Sequence, residues 1–220
     1  MASSSLNLNI KQLILVPALI SLGVTLLRLV GELNEWSPIL FGREAGGGGS
    51  IVGIAWLVPI FGVYFALKLA RMGHAPASGW KMAGVSLLAL AAATAVIMVL
   101  FSISQSFAVQ AASGVLAALT AVFVICKTWP ALFRTLLAYG FAARVPVAIV
   151  MLFAIYGGWG THYELGPPGT PEMSPFVKWI VIGLIPQMTA WIAYTVVIGS
   201  LFGGLAVALK GRARQAAQVA

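Results

Sequence analysis

The residues of this chain best placed to do chemistry are Arg28, Glu32, Arg144, His162, Glu164 and Gln187. Arg28 and Glu32 stand four apart, so on a helix they share one face. A charge about one turn inside a membrane boundary is costly unless it snorkels or finds a partner. The pair therefore reads as an ion pair anchoring a helix end, or as a ligand contact at the mouth of a bundle. Arg144 is the most informative single residue. If it lies deep in the bilayer, no carboxylate of the sequence reaches comparable depth. Its partners would then be Gln187, carbonyls freed near Pro146, or an anionic ligand. Guanidinium facing amide at mid-depth would make an anion or lipid-headgroup site. The plainer alternative puts Arg144 at the inner boundary as one more positive anchor. His162 and Glu164 could join Glu32, Glu35 or Glu44 around zinc, or sense pH, because histidine titrates near neutrality. A loop-structuring role is the plainer reading of that pair.

Much other chemistry is excluded. The single cysteine, Cys126, rules out an internal disulfide and a cysteine metal cluster. The only other histidine, His74, also lies outside the apolar runs, so haem held by two histidines within the bilayer is not expected. There is no aspartate. No P-loop, HExxH or GxSxG pattern is present. The run Gly46 to Gly49 lacks the lysine and serine spacing of a phosphate cradle. No cofactor is expected.

The elements that must hold these residues are transmembrane helices. Of the 220 residues 60% are hydrophobic and only 8% charged, against roughly 25% charged in soluble domains. Too little charge remains to coat a soluble core. Apolar runs of about 20 residues match a hydrocarbon layer about 30 Å thick. The expected fold is all-α, a polytopic bundle of six transmembrane helices in one domain over 1–220. The spans fall near 13–31, 51–70, 82–102, 107–126, 145–159 and 176–209. As one helix, Trp129 to Gly160 would be ~48 Å long, more than the bilayer core. An interfacial helix over 130–142 is therefore expected before the fifth span. Pro186 is expected to kink the sixth, since proline removes a backbone hydrogen bond. The segment Met1 to Gln12 lacks a basic region, and the apolar run after it is too long for a signal peptide, so it reads as retained.

Charge sets the expected orientation. The five acids, Glu32, Glu35, Glu44, Glu164 and Glu172, fall after odd-numbered spans. Lys11, Lys68, Arg71, Lys81, Lys127, Arg134, Lys210, Arg212 and Arg214 fall on the amino-terminal side. The positive-inside rule then places both termini in the cytoplasm and the chain in a cell (plasma or inner) membrane. Trp36, Trp159 and Trp179 would form one aromatic belt, with Trp80 and Trp129 the other. The net charge of +8 has this membrane origin, and no nucleic acid is expected as partner. Membrane lipids are expected partners, with a second membrane protein or another copy of the chain as the companion in a complex. Gly199 and Gly203 form a GxxxG pair suited to close helix packing. Three functions follow: binding or transport of a lipid or small anion within the bundle, an accessory subunit of a larger complex, or a lipid-modifying enzyme at the outer face.

Overall fold

The computed structural model describes residues 8–45, 50–104 and 106–219, with side chains described to residue 213. The glycine run Gly46 to Gly49, the amino-terminal segment before Leu8 and the side chain of Arg214 lie outside the described residues. The described chain is all-helical: α1 Ile10–Leu33, α2 Leu57–Arg71, α3 Gly79–Ile103, α4 Phe107–Ile125, α5 Pro130–Gly157, α6 Pro175–Lys178, α7 Ile185–Met188 and α8 Ala190–Val219. Among the described residues no strand occurs. Five segments are long and apolar enough to cross a membrane: α1, α3, α4, α5 and Pro175–Ala213.

Local chemistry sets the helix ends. The Asn9 side chain accepts the Gln12 N–H at 3.2 Å, and Ser78 accepts the Lys81 N–H at 3.2 Å. Both are capping bonds that satisfy an orphan donor of the first turn. Pro130 opens α5, where its missing N–H costs nothing. Gly158, at φ 59°, closes it in the left-handed conformation that glycine adopts without a Cβ penalty.

Two expected spans are corrected. The second was expected from residue 51, but α2 begins only at Leu57 and has 15 residues. Pro59 sits in its first turn and has no N–H to offer the Ala55 carbonyl. That carbonyl is taken up by the Val58 N–H at 3.3 Å and the Tyr194 hydroxyl at 3.3 Å. Residues 51–54 run as bends and 55–56 as a turn into the helix. The second correction concerns residues 130–159. The expected interfacial helix over 130–142 and separate span over 145–159 are one continuous helix of 28 residues, ~42 Å long. Ala142, Ala143, Arg144 and Val145 contain no breaker, and Pro146 is accommodated within the helix.

The break lies instead in the last segment. After α6 the chain winds as a π-helix over Trp179–Leu184, then as α7, and is interrupted at Thr189, whose φ is −120° and ψ −78°. Pro186 stands in the middle of this irregular stretch, where it was expected to act. The Trp179 indole donates to the Ala148 carbonyl at 2.9 Å and pins the π segment to α5.

The regular half of the segment, α8, is the centre of the bundle. A Cβ on Gly62 of α2 would fall 2.5 Å from Gly199 Cα, and one on Gly203 would fall 2.9 Å from the Gly62 carbonyl oxygen. The GxxxG pair is thus the contact between α8 and α2. Below it Gly79 and Gly204 bring α3 equally close. Trp129 is buried, with its indole donating to the His74 carbonyl at 2.7 Å, and is not part of an aromatic belt. Trp36, Trp80 and Trp159 are exposed at the ends. On α3 and α4, Leu87, Leu88, Met98 and Phe123 are exposed, as lipid-facing side chains are. Because Gly62 meets backbone rather than a flexible side chain, Gly62→Ala overpacks the α2–α8 contact. The expected cost is about 1–3 kcal/mol, read as a lowered thermal midpoint in detergent.

Candidate functional site

The irregular stretch and the loops beside it enclose a cavity of about 520 Å³. Its wall is drawn from α1, residues 50–56, the α3–α4 tip, α5, the loop 162–167 and residues 181–191. Four of the six candidate residues line it: Arg28, Arg144, His162 and Gln187. Glu32 stands just behind, bonded to two of them. Glu164 does not reach it and instead lines a separate groove with Glu172 and Lys178.

Arg144 lies ~21 Å along α5, near its midpoint, and is 4% exposed. The boundary-anchor alternative therefore does not hold, because α5 does not break before it. Among the described residues it forms no ion pair. Its guanidinium carbon stands 4.3 Å from the centroid of the Trp191 ring, a cation–π contact. Its Nη2 has no hydrogen-bond partner. Gln187 is buried too. Its Nε2 faces only the Met151 sulfur at 3.7 Å, and its Oε1 has no partner. A buried polar group without a partner is expensive, and here two of them line one cavity. The remaining wall is largely apolar, with Val24, Ile54, Phe101, Phe107, Val147 and Met151.

At one end of the cavity the carboxylate of Glu32, fully buried, ties together three chain segments. Arg28 Nε donates to Oε1 at 2.8 Å. His162 meets the same oxygen through Nδ1 at 2.5 Å, and its backbone N–H donates to Oε2 at 2.9 Å. Arg28 Nη2 further donates to the Gly42 carbonyl and to Ser50 Oγ, each at 3.1 Å. Arg43 donates to the Glu32 carbonyl, closing the end of α1. A carboxylate paired with Arg28 is ionised and cannot donate, so Nδ1 of His162 carries a proton and Nε2 is the open position. Burial pushes the His162 pKa below its ordinary value; Glu32 opposes this and the Arg28 charge adds to it. Burial pushes the neighbouring Tyr163 hydroxyl up. It stays protonated and donates to the Thr25 carbonyl at 3.3 Å.

The zinc arrangement around His162 is not built. Among the described residues no three side chains of His, Cys, Asp or Glu converge. His162 and Glu32 are brought together; Glu164, Glu35 and Glu44 are not added to them. Sequence reasoning passed over Arg43, Ser50 and Trp191. Only Trp191 left a signal: it follows Gln187 by four residues, one helical turn. No known family model, curated protein or solved structure matches this chain.

Two outcomes are expected. Glu32→Ala leaves Arg28 and His162 without their buried partner and lowers stability by about 3–5 kcal/mol, measured by thermal unfolding in detergent. The depressed pKa of His162 means the unfolded chain binds more protons just below its ordinary pKa of about 6.5. This contribution is intact above that pH and is lost as pH falls. The thermal midpoint of ligand-free protein should drop between about pH 7 and pH 5, and His162→Gln should shrink the drop.

Proposed function

We propose that this membrane bundle binds an amphipathic anion of the size of a single-chain lipid. The anionic group sits on Arg144 and Gln187 and the tail lies along the apolar wall. One observation carries the reading: a guanidinium at mid-helix, 4% exposed, with an unpartnered Nη2 and no carboxylate partner, on the wall of a cavity of about 520 Å³. A lone cation there is costly, and an anion accepting its N–H groups offsets that cost with charge-assisted hydrogen bonds. The cavity volume lies within the range of about 300–1,000 Å³ typical of small-molecule sites. The interruption at Pro186 and Thr189 supports a carrier role, because membrane carriers build substrate sites where helices are broken.

The charge distribution supports an orientation. Lys68, Arg71, Lys81 and Lys127 gather at the end where Trp129 meets His74. Glu32 lies at the end of the cavity, bonded to His162. Counting the 15-residue α2 as a sixth crossing beside the five longer segments, we infer by the positive-inside rule that the basic end and both termini face the cytoplasm of a cell membrane.

Calorimetry in phosphatidylcholine nanodiscs tests the site with three probes: decyl sulfate, inorganic sulfate and uncharged decyl maltoside. Decyl sulfate should bind best. Equal binding of inorganic sulfate would reassign the site to free anions, and equal binding of decyl maltoside would end the anion reading. Arg144→Gln should remove about 1.5–3 kcal/mol, weakening decyl sulfate roughly 10- to 100-fold.

A further inference from the structure

We propose that His162 is a proton-binding site belonging to the anion cavity, so that the protein takes up an anion and a proton together. This rests on the anion site proposed above. The geometry carries it. Nδ1–H of His162 is committed to Glu32 Oε1 at 2.5 Å and its backbone N–H to Oε2 at 2.9 Å. A further proton can therefore reside only on Nε2. The ring lines the same cavity as Arg28 and Arg144, and the lining contains no carboxylate. Of these three side chains only the imidazole changes its charge between about pH 5 and 8.

The groups around His162 come from every element packed on it. From α1 come Arg28 and Glu32. The following loop adds Arg43, on the Glu32 carbonyl. Arg144 comes from α5, across the cavity. Its own turn holds Tyr163, protonated through burial, and Glu164, which faces the other groove. The lining residues from 50–56, α3, α4 and 181–191 contribute no acid or base. With the cavity empty, burial and the cation of Arg28 outweigh Glu32 and hold the imidazole neutral. An anion seated on Arg144 and Gln187 brings a negative charge into the cavity that His162 lines, and a nearby negative charge favours the charged imidazole. The coupling is reciprocal, so a protonated His162 binds the anion more tightly. The bound pair, one anion and one proton, adds no net charge to the bundle. That lowers the cost of carrying it through hydrocarbon.

The test uses wild-type protein in phosphatidylcholine nanodiscs and decyl sulfate, which keeps its negative charge across this pH range. Calorimetric titrations are run in two buffers of different ionisation heat, at intervals between about pH 5 and 8. Proton uptake approaching one per anion is expected near neutrality. The association constant should rise by up to roughly tenfold per unit fall in pH within that window. His162→Gln should still bind decyl sulfate, with a flat pH profile and no uptake. Binding without proton uptake in the wild type overturns the proton site and leaves the anion site standing. An unchanged uptake in His162→Gln likewise moves the proton to another group and overturns the assignment. No binding at any pH removes the anion site, and the coupling with it.

Discussion

The structure turns on one guanidinium. Arg144 stands near the middle of a helix of 28 residues whose outer face is lined with Val145, Ile149 and Phe153, all exposed. A cation at that depth must face inward, and something inside must answer its charge. No carboxylate does. What answers is the face of Trp191, while Nη2 stays without a partner on the wall of the cavity that Arg144 shares with Gln187. Each of these constrains its surroundings. Trp191 and Gln187 both come from the last membrane segment, one on each side of its interruption at Thr189. The space in front of them must stay unfilled by side chains.

One segment solves both problems by being two structures in succession. Its second half, α8, is regular and carries glycines that bring α2 and α3 to backbone contact. Dispersion from such close packing holds a bundle together in lipid, where burial from water offers little. Its first half is a π turn, a proline and a kinked Thr189. There the packing loosens, and the cavity opens where α8 has not yet begun. The Trp179 indole bond to Ala148 fixes the irregular half to α5, so the looseness is local.

The end of the cavity is closed by hydrogen bonding around Glu32. A fully buried carboxylate with three donors on its two oxygens joins α1 to the loop that begins at Thr161. Arg28 carries the connection on to Gly42 and Ser50. The pairing also fixes the histidine tautomer, which is what makes the ring a defined acid–base group beside two permanent cations. Structural closure and proton chemistry thus reside in the same few bonds.

The membrane bundle itself was legible from composition and run length, because crossing a hydrocarbon layer demands long apolar helices whatever their arrangement. The GxxxG pair, the disruption at Pro186 and the pairing of Arg28 with Glu32 were legible for the same reason: each is a local rule spanning a few residues. The start of α2 was misplaced because a run of apolar residues does not show that Pro59 deprives Ala55 of its helical partner. The break before Arg144 was misplaced because length was judged against a flat slab of hydrocarbon. Only the fold could show Trp191 beneath the Arg144 guanidinium. His162 is far from Glu32 in sequence, and its bond to that carboxylate is set by how the 158–174 loop folds back over α1. Sequence alone determined that these residues belong to a helical membrane bundle. Tertiary structure decided that Arg28, Arg144, His162 and Gln187 share one cavity, because that depends on helix packing and the place where the last segment breaks.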